Sequence, residues 1–440
     1  MESVLPLQPQ HDYTNAIKAT YNSTAPASPL LNNLKARIID RLASHMHMRG
    51  RIPLTRHNAA GIVIPPILLY LYLCYLVRRP NTRKIRMALL PIAVPWLLAL
   101  TFAVQWLPTR TMAWNVPITT TGVLFAVRAA EYCLSPTGRR KLTESIPGEA
   151  HLQPDASLYQ KILWGVSDAV ELIISQRGVG WDFGTGEGLR LPLMQSHRPV
   201  QDRLQWLIVT SLRDVLCNYL IVDIISTWWR TIPEISKRPA DLRGLTLPLQ
   251  IAVPGTVMIV VPCYMSMWYE VAAVLDVSIM GRAPSAWPVL FGEPWKAKSL
   301  HDLWAFEWHQ LSRRTFLSTV GYPMRALFGT PGMMLGAFIS SGLYHNLMLI
   351  GDGLPGLNLP TMFFFVVQAV GLIAERMFRQ VTGRKVGGMW GNMWTILFLL
   401  ITVQPMAEVW IDRGYLETSP IRPEFSVVER LVRWKNFAVQ

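Results

Sequence analysis

The chain has 440 residues, of which 51% are hydrophobic and only 16% charged, where an ordinary soluble domain carries about 25% charged residues. Its apolar residues come in long unbroken runs, which excludes a soluble domain with a large core in favour of a polytopic membrane protein. The formal net charge of +14 falls between those runs, where a positive-inside bias accounts for it without nucleic acid.

Residues 1–58 read as a polar N-terminal tail. A helical pattern over Leu34–Met48 suits either the membrane surface or solvent. Asn22-Ser23-Thr24 is a glycosylation acceptor if this end is lumenal. His45 and His47 have no further ligands nearby, and no metal site is expected. No signal peptide precedes the first span, because the first ~55 residues hold no apolar core segment.

The first span is read over Ala59–Val77, the second over Met87–Leu107 and the third over Val116–Leu134, making residues 59–134 a three-helix unit. Basic residues Arg78–Arg86 and Arg139–Lys141 flank them and are placed in the cytoplasm. Residues 135–203 form a hydrophilic connection with a helix near Tyr159–Ser175. It ends in Arg177-Gly178-Val179-Gly180-Trp181-Asp182-Phe183, read as a flexible loop because no nucleotide-loop signature surrounds it.

Residues 204–411 hold five more spans, over Leu204–Trp229, Leu247–Val277, Thr330–Ile350, Leu359–Phe378 and Met389–Trp410. The fold class is therefore all-α, with about seven to nine transmembrane helices. Residues 412–440 read as a basic, solvated tail, and Cys74, Cys133, Cys217 and Cys263 as small buried residues rather than a disulfide framework.

His345 is the first candidate for chemistry. Thr330–Ile350 contains no Asp, Glu, Lys or Arg, and an ionisable group in such a span marks a functional site when it faces the bundle interior. Histidine exchanges a proton near neutral pH and suits a general base. Ser341, one helical turn earlier, is placed to fix its tautomer. His309 is the second candidate. A helix over Ser299–Phe316, capped by Ser299 with Asp302 at its third position, aligns Asp302, Phe306, His309 and Arg313 on one side. Arg128 and Glu131 are spaced to pair, and Asp214, Asp223, Glu270 and Glu375 are read as structural partners between helices.

Three stretches carry a resemblance: Pro288-Val289-Leu290-Phe291-Gly292-Glu293-Pro294, then Ser299–Trp304 with Trp308-His309-Gln310, then Ser341-Gly342-Leu343-Tyr344-His345. Together with Arg177–Trp181 they resemble the wax synthase domain of the membrane-bound O-acyltransferase superfamily, in its fungal secondary-metabolite branch. The resemblance implies a helical bundle around a central chamber in the endoplasmic reticulum membrane. It implies acyl transfer from acetyl-CoA, a co-substrate and not a bound cofactor, to a hydroxyl of a terpenoid or meroterpenoid. His345 is then the catalytic base and His309 its partner. Trp304, Trp308, Gln310, Arg313, Ser341 and Asn346 are the expected substrate and acyl-CoA contacts, and Lys296, Lys298 and Arg314 are placed near the CoA phosphates. A wax synthase using long-chain acyl-CoA and a fatty alcohol is the second reading, and a transporter or lipid-binding scaffold the third.

Overall fold

The computed structural model describes residues 51–106, 112–149, 155–184, 203–236, 242, 244–354, 356–416 and 421–438. The expected N-terminal helix, Asn22, His45 and His47 lie outside these residues.

Each apolar run becomes helix. α1 (Ala59–Val77), α2 (Arg83–Phe102) and α3 (Met112–Leu134) pack together, and α1 and α2 run on through their internal prolines, as transmembrane helices do when neighbours satisfy the freed carbonyls. Two-residue strands β1 (Ile52–Pro53) and β2 (Val104–Gln105) pair in parallel beside them. α4 (Leu158–Ile174) starts at a full capping box between Ser157 and Gln160. It packs on α1 at Gly165, where an added Cβ would lie 2.4 Å from the Tyr75 ring.

The fourth predicted span is α5 (Arg203–Val209) and α6 (Leu216–Arg230), joined by a π-helical turn, Thr210–Val215, that holds Arg213 and Asp214. α7 (Leu247–Leu275) runs into a second π turn, Asp276–Met280, and stops at the left-handed Gly281. After a short α8 (Leu300–Asp302) come α9 (Arg313–Phe316) and α10 (Tyr322–Gly351). α11 (Leu359–Thr382), α12 (Gly388–Thr402), α13 (Gln404–Asp412) and α14 (Val427–Ala438) complete the chain.

Five helical stretches among the described residues are long and apolar enough to cross a bilayer: Ala59–Val77, Arg83–Phe102, Leu247–Met280, Arg313–Gly351 and Leu359–Thr382. α12 with α13, bent by 43°, makes a sixth. α3 and the α5–α6 stretch are helices too, but they carry Arg128, Glu131, Arg213, Asp214 and Asp223.

Arg313–Gly351 does not run in one direction. Gly329 has φ 64° and ψ −153°, a conformation open essentially to glycine alone. Pro331 follows at the start of the second arm. The two arms fold back on each other: Gly332 lies against Met324 and Phe328, Gly336 against Val320 and Met324, Thr319 bonds Ser340 at 2.8 Å, and Phe316 meets Tyr344. This hairpin returns His345 to the level of the segment that precedes Arg313.

Two large apolar cores result, beside a small third cluster of Trp206, Ala273, Val277 and Trp287. One joins α1–α4 with Trp181 and Phe183, and the other joins α6, α7, α10, α11 and α13. Two expectations change here. The tail after Trp410 is not solvated throughout: Leu416 and Ile421 are buried, and the N-terminus of α14 is held by the Asp223 carboxylate through Val427 and Val428 N–H at 2.9 and 3.0 Å. The four cysteines form no disulfide, but Cys217 is exposed and Cys263 half-buried, so only Cys74 and Cys133 are core residues.

Candidate active site

The segment 288–309 is fixed from its ends. The Arg177 Nη1 donates to the Pro288 and Val289 carbonyls at 3.0 and 2.9 Å, and the Tyr269 hydroxyl donates to Pro288 at 2.8 Å. Gly292 N–H donates to the Glu307 carbonyl, and the Glu307 carboxylate accepts Glu293 N–H at 2.5 Å. Gly292 must be small here, because a Cβ would lie 2.0 Å from Glu307 Oε2.

The Ser299 hydroxyl caps α8 through Asp302 N–H at 3.0 Å, as the sequence predicts. The helix is not continuous to Phe316, however. α8 passes into a π turn over Leu303–Glu307, and Trp308 is extended. His309 therefore leaves the helical face shared with Asp302 and Phe306. The cause is tertiary. Glu375 on α11 accepts Leu300 and His301 N–H at 2.8 and 3.1 Å and Trp394 Nε1–H at 3.0 Å. Trp304 then meets Gln368 at 3.3 Å and stacks near Phe364. From Glu375 to Gln368 is seven residues of helix, so the segment descends along α11 by about 10 Å. It carries His309 down toward the arm that holds His345.

His345 Nδ1 lies 2.8 Å from the Ser341 carbonyl oxygen. A carbonyl only accepts, so Nδ1 bears the proton and Nε2 is left as an acceptor. The tautomer is thus set by the backbone of Ser341 and not by its hydroxyl. The ring packs at 4.2 Å on Phe365 and stacks 6.4 Å from Trp410. Trp410 is buried, and its indole N–H has no hydrogen-bond partner among the described residues.

His309 lies between Phe291 and Trp308, with ring centroids at 5.4 and 5.9 Å. Its Nδ1 is buried without a partner among the described residues. Burial, with His345 and Arg177 adding to it, pushes its pKa down to about 3, so the ring is neutral at pH 7. A chain of ring contacts 4.2 to 6.5 Å long, through Trp308, Trp304, Phe364 and Phe365, links His309 to His345, and Phe338 packs on Trp304.

The structure divides the other predicted site residues. Trp304 and Trp308 line this aromatic wall. Gln310 and Arg313 do not face it as free groups: Gln310 donates to Trp308 O at 2.8 Å, and Arg313 donates to Ala305 O and to Gln310 Oε1 at 2.9 Å each. They set the turn that presents His309. Asn346 is likewise engaged, donating to Gly342 O and accepting Asn358 N–H, which ties α10 to the start of α11. Arg314 pairs with Glu131 at 2.6 Å, and the exposed Lys296 with Glu293 at 2.5 Å. The glycine-rich segment 177–183 is a packed knot, not a flexible loop. Trp181 and Phe183 are fully buried, and Gly178 and Gly180 take φ +69° and +79°. Phe291, Phe338, Phe365 and Trp410 pack on the candidate site residues, and sequence reasoning missed them. Apolar runs carry aromatics everywhere, so nothing local singles these out.

A model of the membrane bound O-acyl transferase family matches residues 287–367, the segment that holds both histidines. The acetyltransferase ple2 of Rhodocybe pseudopiperita is 29% identical over 56% of this chain and 65% of its own length. The acetyltransferase eriL of Hericium erinaceus is 23% identical over 59% of this chain and 70% of its own. The acetyltransferase spyB of Aspergillus fumigatus is 32% identical, over 24% of this chain and 20% of its own length. The match thus spans less than two thirds of the first and third of these relatives. No solved structure matches. The chain, with its helical membrane bundle, is thus similar to the membrane bound O-acyl transferase family over residues 287–367 and to fungal acetyltransferases over longer stretches.

Proposed function

We propose that this protein transfers an acetyl group from acetyl-CoA to a hydroxyl of a terpenoid or meroterpenoid, within the endoplasmic reticulum membrane, with His345 as the general base. The observation that carries the reading is the orientation of His345. Its Nδ1–H is held by the Ser341 carbonyl at 2.8 Å, leaving Nε2 as the acceptor of a ring that packs among aromatic side chains linked to His309. An apolar wall of Trp304, Trp308, Phe338 and Phe365 suits a hydrophobic alcohol, and the names of the relatives support acetyl as the group transferred.

The chemistry follows from what a hydroxyl lacks at neutral pH. It is a weak nucleophile, so His345 Nε2 takes its proton as the oxygen attacks the thioester carbonyl carbon. The negative charge that develops on the carbonyl oxygen is met by N–H donors. The unpartnered Trp410 indole and the neutral His309 ring are the available side-chain donors. The carbon–sulfur bond then breaks, the imidazolium returns its proton to the departing thiolate, and the ester and CoA leave.

The test uses microsomes bearing this protein or its His345→Ala form at equal protein level, with labelled acetyl-CoA or palmitoyl-CoA and a panel of terpenoid and long-chain alcohols. Acetyl ester on a terpenoid, reduced at least ~100-fold in the variant, is the expected outcome for loss of a positioned base. Long-chain ester instead moves the protein to wax synthesis, and ester formed undiminished by the variant removes His345 from the mechanism.

A further inference from the structure

A cleft that bears two arginines lies beside the His309 segment and takes no part in the steps above. Arg177, Arg282, Gln176, Tyr269, Trp287 and Leu311 line it, and Leu311 is two residues from His309. Arg177 is 8% exposed. One edge of its guanidinium, through Nη1, is spent on the Pro288 and Val289 carbonyls. Its other edge, Nε and Nη2, is buried and has no hydrogen-bond partner among the described residues. The Nη2 of Arg282 is also buried and has none among them. A buried guanidinium edge left unpaired costs free energy that folding alone does not recover.

The neighbouring carboxylates do not satisfy these donors. Glu171 is taken by Lys141 at 3.0 Å and by the Trp181 indole N–H at 3.1 Å. Asp276 accepts the Trp287 indole N–H at 2.7 Å and lies 3.6 Å from Arg282 Nε, too long for a good hydrogen bond. Two adjacent N–H groups on one guanidinium edge match two oxygens of a phosphate.

We propose that this cleft binds a phosphate of the acyl donor, with Arg177 Nε and Nη2 as a bidentate clamp and Arg282 as the second cation. The proposal rests on the reading of the chain as acyl-CoA-dependent. It explains why Arg177 lies in the glycine-bearing knot: the same side chain holds the 288–289 backbone with one edge and offers the other to the ligand. Donor binding is thereby coupled to the segment that ends at His309. A lipid headgroup phosphate is the competing source of the same chemistry.

The test is equilibrium binding of adenosine 3′,5′-bisphosphate, the phosphate-bearing part of CoA, to the full-length protein in nanodiscs of neutral lipid. Glycerophosphoinositol 4-phosphate serves as the lipid-headgroup probe. The variants are Arg282→Gln, which leaves the Pro288 and Val289 contacts intact, and Arg177→Lys, which keeps the charge but not the fork. Loss of one charge-assisted contact corresponds to a binding constant weaker by about tenfold or more, expected in both variants, and in Arg282→Gln at unchanged melting temperature. Binding that is absent in the wild type, or equal in all three proteins, overturns the proposal. So does Arg282-dependent binding of the headgroup probe alone. Nucleotide binding of the expected pattern without ester from any acyl-CoA would overturn the enzymatic reading and leave the cleft standing.

Discussion

His345 and Trp410 come together from helices far apart in the chain, and their ring contact sets two expectations at the scale of single residues. The Trp410 indole N–H is buried and unpartnered while its ring stacks on His345. An orphaned donor at that place is well used if it meets charge that forms only in the transition state. Trp410→Phe keeps the ring and removes the donor. It should lower kcat by about 10- to 100-fold with little change in KM, measured by ester formation at saturating acetyl-CoA. A variant with full turnover would show that the indole meets no developing charge. His309 gives the second expectation. Its pKa in the fold is near 3 because it is buried, and in the unfolded chain it is about 6.5. Between those values the unfolded state binds the extra proton, so stability falls as pH drops through that window and is fully present above it. The loss of melting temperature from pH 7 to pH 5, in detergent micelles, should therefore be smaller in His309→Gln than in the wild type. An equal loss in both would mean that His309 is not held neutral by the fold. His345 was legible in the sequence, because a histidine in an uncharged span stands out. Trp410 was not, because it ends a run of apolar residues in which many aromatics look alike.

At the scale of elements, the segment 299–309 decides whether the site exists. Its cap at Ser299 was legible, and so was the helical stretch of Leu359–Phe378 against which it packs. Its break at Trp308 was not, because the acceptor that anchors the segment is Glu375, some 75 positions away in sequence. Helical periodicity alone extends the helix to Phe316, and only a tertiary partner stops it. The hairpin at Gly329 was hidden for a similar reason. Its second arm was read as a span, while the first arm is too short and mixed to register as one. Glu375 makes the dependence testable. Glu375→Ala leaves the Leu300, His301 and Trp394 N–H groups without their acceptor, and a buried unsatisfied donor costs about 1–3 kcal/mol. Glu375→Gln retains one acceptor oxygen. We expect Glu375→Ala to lose turnover by at least tenfold and to melt at lower temperature, with Glu375→Gln between it and the wild type. Equal activity in all three would mean that the segment holds His309 without Glu375.

On the scale of the whole molecule, two apolar cores are joined by polar contacts. Arg51 donates to the Ile350 and Gly351 carbonyls, Asn115 to Asp352, Tyr344 to Thr120, Arg177 to Pro288 and Val289, and Arg314 to Glu131 and the Phe183 carbonyl. Apolar surfaces gain little from meeting inside a bilayer, since lipid is equally apolar, so hydrogen bonds and close packing must supply the join. Glu131 is its hub. It pairs with Arg128 at 3.0 Å and Arg314 at 2.6 Å and bonds Arg139 as well. The same three guanidinium groups sit over the Phe183 ring at 4.8 to 5.6 Å. The Arg128–Glu131 pair was legible from its spacing, but the two distant arginines and the aromatic floor were not. Removing the one carboxylate leaves three close cations facing one another, with Arg128 buried among them, which is destabilising. Arg314 begins the hairpin that carries His345, so the loss should reach the active site. Glu131→Gln is therefore expected to lower the melting temperature and to reduce turnover together. Adding Arg314→Met, which removes one of the stranded charges and keeps the side-chain volume, should recover part of the stability but not the turnover. A double variant no more stable than Glu131→Gln would show that the three arginines do not repel one another across Phe183, and that the two halves are held by packing alone.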